Sequence, residues 1–258
     1  MGPEGWLFAP PTTGVALIVR KGPKKNIFGR LSGFWSEERN LTVFLGIIIL
    51  NYFILPSLGS LFGESAAINL LVNLVYSLLL LSGVVALTRH KVIQGVFAVI
   101  AVLIVSVRLG RLAFGGTWLG GWDIFLSFVA SLAFAFVILG HVYKDGPVTS
   151  HRIRGAVAAY LLLAMAFSLG YFMIEFMMPG SFQHQNQAML LDDQSWKIFY
   201  YFSITTLTTL GYGDMTPIQP VARNLAMIEA LVGQLYPAIL LARLVSLHTQ
   251  TRHSKKDE

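Results

Sequence analysis

The sequence predicts an all-α membrane protein: six spanning helices and, between the fifth and sixth, a shorter helix that enters the bilayer without crossing it. Three observations carry this. Of 258 residues, 55% are hydrophobic and only 12% charged, with a mean hydropathy of +0.64, against about 25% charged in an ordinary soluble domain. The apolar residues come in runs of about 20, the length that crosses roughly 30 Å of hydrocarbon at 1.5 Å per residue. The 19 lysines and arginines are also sorted by side. With the amino terminus in the cytoplasm, 15 of the 19 fall on the inner side, leaving Arg108, Arg111, Lys197 and Arg223 at outer ends. That is the positive-inside bias, and it places both termini in the cytoplasm. The net charge of +6 therefore follows the membrane and gives no support to a nucleic-acid partner. The absence of cysteine excludes a disulfide scaffold, thiolate metal sites and a cysteine nucleophile.

In chain order, residues 1–40 are read as a cytoplasmic segment. Within it Ile27, Phe28, Leu31, Phe34 and Trp35 share one helical face beside Lys24, Lys25 and Arg30, the pattern of an interfacial helix on an anionic membrane; a flexible basic leader is the alternative. No cleaved signal peptide is expected, because the first 20 residues lack a basic start and a continuous apolar core. Spans are predicted at about 41–62, 66–88, 92–113 and 122–143, forming a four-helix domain over 41–143. A polar Lys144-Asp145-Gly146-Pro147 turn separates this from a second domain over 151–248, with spans at about 154–178 and 221–247. Residues 249–258 are a short cytoplasmic tail.

The chemistry lies between the last two spans. About 14 residues from Gln194 to Leu207 are too few to cross the membrane but enough for a half-membrane helix. Non-helical backbone at that depth is permitted only where it lines a water- or ion-filled path. The helix runs into the loop Thr208-Thr209-Leu210-Gly211-Tyr212-Gly213-Asp214. Stacking carbonyl oxygens along one line requires successive residues to alternate between ordinary and mirror-image backbone, and Gly211 and Gly213 reach positive φ without a Cβ penalty.

Residues 206–214, Thr-Leu-Thr-Thr-Leu-Gly-Tyr-Gly-Asp, closely resemble the pore loop of the tetrameric potassium channel family, with Leu210 in place of its usual Val. The resemblance implies a selectivity filter in which carbonyl oxygens of Thr209, Leu210, Gly211 and Tyr212 replace water around K⁺, with Gly213 completing the signature. One chain supplies a quarter of each oxygen ring, so three identical subunits are the implied partners. K⁺ is the permeant ion, and no further cofactor is expected. Tyr201 occupies the position from which an aromatic donor of the family braces the carboxylate at Asp214; ordinary aromatic packing is the alternative. Thr205 stands where some members carry a buried acid, so their carboxyl pair is absent here. Asp192 and Asp193, near the mouth, raise the local cation concentration rather than bind a metal.

In the last span, Gly233 falls where the family has an inner-helix hinge, and Pro237 removes a backbone donor one turn later. Gln234, Pro237 and Leu241 share the face that the resemblance turns toward the cavity. Close helix packing is the other reading of Gly233. Glu229 lies inside the span, where a charge must find a partner or be neutral, and it is expected to face the half-membrane helix rather than the ions.

Four helices ahead of a two-helix pore resemble the voltage-sensor arrangement of six-helix cation channels in number only. The fourth span contains no Arg or Lys, and voltage sensing needs charge that moves through the field. Steep voltage gating is therefore not expected. Arg108 and Arg111 on the third span are read with Glu64, Asn69, Asn73 and Asp123 as a satisfied polar network in the outer half of the bundle, a static clamp in preference to a reduced sensor. His184 is expected to be solvated. No paired catalytic carboxylates, phosphate loop or metal-ligand cluster appears, so the chain is not read as an enzyme. The expectation is a multi-pass channel of a plasma or bacterial inner membrane, in contact with lipid, that conducts K⁺ passively. The alternatives are a weakly selective cation pore or a non-conducting membrane subunit.

Overall fold

The computed structural model describes residues 37–57, 91–114, 117–143, 149–185, 187–189, 191–192 and 195–254, with positions 72, 75 and 76 between the first two stretches. Residues 1–36, the span predicted at 66–88 apart from positions 72, 75 and 76, and Glu64, Asn69, Asn73 and Asp193 lie outside the described residues.

Helix α1 covers Glu37–Ile49 and continues through a wider π-turn, Leu50–Ile54, to residue 57. Helices α2 (Lys91–Phe114), α3 (Thr117–Val142), α4 (Ser150–Met177) and α6 (Pro220–Ser254) contain apolar stretches long enough to cross a membrane: Gln94–Arg111, Trp118–Gly140, Arg152–Met177 and Pro220–Arg243. Helix α5, Ser195–Leu207, is the half-length element. At 13 residues it is about 20 Å long, too short to cross.

Local chemistry sets the ends of these helices. Thr149, in extended backbone, accepts the Arg152 amide on its side chain and caps α4. Pro220 opens α6, where a missing N–H costs nothing. Before α5, the Ser195 hydroxyl donates to Asp192 Oδ1 at 2.6 Å and accepts the Asp192 amide at 2.8 Å.

A small antiparallel sheet, which the hydropathy pattern did not announce, lies between the C-terminal end of α4 and the N-terminal end of α6. Strand β1 (Phe182–His184) pairs on one side with β2 (Gln187–Ala188) and on the other with β3 (Met215–Pro217). The register sets Gln183 against Ala188 and against Thr216. His184, expected in solvent, is half-buried on β1 opposite Gln187 and Met215. At three residues or fewer, such strands are too short for a period of two to show in the sequence.

Two apolar clusters hold the described helices. Phe44 and Ile48 of α1, Phe134 and Ile138 of α3, and Leu162 and Met165 of α4 are buried together. Around α5, Tyr171, Phe182, Phe199, Phe202 and Met215 form an aromatic cluster. Within it the Tyr171 and Phe202 rings lie 5.0 Å apart and those of Phe182 and Phe199 5.2 Å apart, both edge-on, the geometry aromatic pairs prefer. Tyr52 of α1 stacks on Tyr200 of α5 with centroids 4.1 Å apart.

Candidate functional site

The site is the loop that leaves the C-terminal end of α5. Thr208 and Thr209 donate their amides back to Ile204 and Thr206, closing the helix, and the Leu210 and Gly211 amides then converge on the Thr205 carbonyl at 2.8 and 3.1 Å. Beyond that point the backbone alternates: φ is +60° at Thr209, +52° at Gly211 and +80° at Gly213. The two glycines accept this without strain. Thr209 does not, since a β-branched residue in the left-handed region costs about 1–2 kcal/mol. Residues 208–214 are all exposed in the single chain.

Tyr201 and Asp214 come together: the Tyr201 hydroxyl donates to Asp214 Oδ2 at 2.9 Å. Desolvation, and then this bond, raise the Tyr201 hydroxyl above the ordinary phenol range, so it stays a donor at physiological pH. The Tyr212 ring stacks on that of Tyr201, 6.2 Å away and parallel within 3°. Asp214 is held twice more, with Oδ1 accepting the Met215 amide at 3.1 Å and its carbonyl accepting the Gln185 amide at 2.8 Å. The sheet thus anchors the end of the loop. Thr205 contributes through its carbonyl; its hydroxyl donates to Phe202 O at 3.0 Å.

At the helix end from which the loop departs, Leu207 is the meeting point. Its carbonyl accepts the Tyr160 hydroxyl at 3.0 Å. Gly233 of α6 lies so near that a Cβ there would sit 1.9 Å from Leu207 O and 2.7 Å from its carbonyl carbon. At Gly233 the chain therefore shows a close backbone approach, with α6 running as one helix past both Gly233 and Pro237. Gln234, Pro237 and Leu241 are exposed in the single chain.

Four residues with structural roles were not singled out from sequence. Glu175, wholly buried near the end of α4, accepts the Gly180 amide at 2.7 Å and the Phe182 amide at 3.0 Å, holding the turn into β1. An acid just before Met-Met-Pro-Gly was the available signal, because a buried carboxylate next to a turn can take its free amides. The Ser203 hydroxyl lies within hydrogen-bond reach of both Ala164 O, at 2.6 Å, and Glu229 Oε1. The Tyr236 hydroxyl donates to Ala156 O at 2.8 Å. Arg243 donates to the Tyr143 carbonyl, with its guanidinium 5.1 Å from that ring's centroid.

In the four-helix region, Arg108 Nε donates to Asp123 Oδ1 at 2.9 Å, Nη2 reaches Ser127 Oγ at 3.4 Å, and the guanidinium sits 4.3 Å from the Tyr76 ring centroid. Arg111 is exposed.

A family model described as "Ion channel" matches residues 159–250, from α4 through α6. Protein LctB of Bacillus caldotenax is 34% identical over 92 residues, 33% of this chain and 64% of that protein. Inward rectifier potassium channel Kirbac3.1 of Paramagnetospirillum magnetotacticum is 32% identical over 95 residues, 35% of this chain and 28% of that protein. Two pore potassium channel c of Oryza sativa subsp. japonica is 46% identical over 46 residues, 18% of this chain and 10% of that protein. The chain spans less than two thirds of the length of these relatives. The family-model match covers the half-length helix, its loop and the two flanking spans, and points to a multi-pass membrane transport protein. On that segment the chain is similar to ion channels, among them proteins named as potassium channels.

Proposed function

We propose that four copies surround one axis and conduct K⁺ passively, with the carbonyls of Thr209, Leu210, Gly211 and Tyr212 as the ion ligands and Gly213 completing the loop. The observation that carries this is the sign alternation of φ at 209, 211 and 213 in a loop that follows a half-length helix. Backbone of that kind turns successive carbonyls to one side, where four chains can close them into rings around a dehydrated cation. The exposed apolar face of α6, including Leu231, Leu235, Ile239 and Val245, supports the assembly, because one chain leaves it uncovered. Conduction is not steeply voltage-dependent on this reading: α3 carries no Arg or Lys, and Arg108 is already paired with Asp123. Both termini lie in the cytoplasm, and residues 41–143 and 151–248 act as bundle and pore domain.

The test is K⁺ flux from liposomes holding the purified protein, with reversal potentials measured under K⁺ opposite Na⁺. A reversal potential following K⁺ is expected. One near zero would make the pore a weakly selective cation path; absence of flux would leave a non-conducting subunit. Gly211→Ala, which places a Cβ at φ +52°, is expected to abolish flux while the tetramer survives.

A further inference from the structure

Glu229 is completely buried inside the apolar span of α6. Its two carboxyl oxygens meet two hydroxyls: Tyr171 of α4 donates to Oε2, and Ser203 of α5 lies against Oε1. Glu175 is the useful contrast. It is equally buried, but its two carboxyl oxygens are met by two backbone amides, of Gly180 and Phe182, which can only donate.

At Glu229 the protons do not add up in the ionised form. Ser203 Oγ is within hydrogen-bond reach of two oxygens, Glu229 Oε1 and the Ala164 carbonyl, the latter at 2.6 Å. The carbonyl can only accept. Three oxygens in a row with two bonding contacts need two protons, and the Ser203 hydroxyl carries one. Tyr171 cannot supply the second, because its proton is already on Oε2. The second must belong to Glu229. The surroundings agree. The titratable groups facing it are Tyr171 and Tyr160, both from α4; α5 presents Ser203; and no cationic side chain among the described residues pairs with it. An unpaired charge at this depth costs several kcal/mol, and a carboxyl so placed neutralises instead.

We infer that Glu229 is held as a neutral carboxylic acid that donates its proton to Ser203, and that this bond is a positioning contact setting α5, and with it the loop at 208–214, against α6. Gly233 touches Leu207 one turn further along the same pair of helices, so the two contacts together fix how α5 sits. Removing the proton forces Ser203 to choose one acceptor. Either the Glu229 contact becomes two facing lone pairs or the Ala164 bond is lost, and α5 shifts in both cases.

The inference deepens the reading of the loop as a K⁺ filter and is tested with a readout independent of conduction. Infrared spectra of the full-length protein in lipid at neutral pH are expected to show a protonated-carboxyl stretch that disappears in Glu229→Gln. In liposomes, wild-type K⁺ flux is expected to fall several-fold at alkaline pH. Glu229→Gln, whose amide donates to Ser203 and whose carbonyl accepts from Tyr171, is expected to keep neutral-pH flux and lose the alkaline fall. Ser203→Ala, which leaves the carboxyl proton without its acceptor, is expected to lower flux with the tetramer intact. The inference is overturned by absence of the protonated band, by an alkaline fall that persists in Glu229→Gln, or by loss of flux in Glu229→Gln with flux retained in Glu229→Asp. A protonated band without any wild-type flux would overturn the channel reading and leave the proton assignment standing.

Discussion

Gly233→Ala separates two readings of one residue. Ordinary carbon–oxygen contact lies above about 3.4 Å, and an alanine Cβ would stand 1.9 Å from Leu207 O and 3.0 Å from Leu207 Cα. The obstacle is backbone at the end of α5, so no side-chain rotation relieves it. The helices must separate by roughly 1.5 Å, and overpacking of this kind costs about 1–3 kcal/mol per subunit. Separation also strains the Tyr160 bond to the same carbonyl and moves the loop that begins one residue later. A hinge glycine behaves differently. Alanine is a better helix former by about 1 kcal/mol, so stiffening a hinge would leave the assembly as stable or more so and change only opening. The assay is thermal melting of the detergent-solubilised protein beside K⁺ flux. A melting temperature several degrees lower with diminished flux is expected; unchanged or raised stability would refute the contact as drawn and return Gly233 to a hinge.

Tyr201→Phe removes the donor to Asp214 while keeping the ring on Tyr212. A loss of about 1 kcal/mol, or about fivefold in the population of the ordered loop, should show as current that decays sooner, in single-channel records, with the tetramer unchanged. Arg108→Gln leaves Asp123 largely buried without a cation. A cost of about 3 kcal/mol should reduce tetramer yield on size exclusion, and adding Asp123→Asn should recover part of it; a displaced activation curve at full yield would instead mark Arg108 as a sensor. Glu175→Ala strips two amides of their acceptor, about 1–3 kcal/mol for each left unmet, and should raise hydrogen exchange at Gly180 and Phe182 before it affects α5.

The long elements were legible because each rests on a run of one chemistry. The half-length helix expected over 194–207 begins at Ser195 and ends at Leu207, since Asp192 and Ser195 close its start and the threonines after Leu207 end its periodicity. Positive φ at Gly211 and Gly213 followed from residue type. At Thr209 it did not, because nothing about threonine predicts it; the alternation of its neighbours imposes it. The Arg108–Asp123 pair was readable from the rule that membrane charge seeks charge, whereas its suggested companions Glu64, Asn69 and Asn73 lie outside the described residues. Backbone partners carry no sequence signal of their own: the Thr205 carbonyl that gathers two loop amides and the Leu207 carbonyl under Gly233 belong to geometry that any side chain could accompany. The sheet escaped for a related reason, being made of main-chain pairing over eight residues.

The ring of Tyr52 lies flat on Tyr200, whose sequence neighbour Tyr201 holds the end of the loop. Helix α1 therefore leans on the support of the loop within one chain. Tilting is one way a helix accommodates a change in bilayer thickness, and a tilt of α1 would press on that aromatic pair. On the channel reading, bilayer thickness would have a mechanical path to the loop at 208–214 that does not pass through α6.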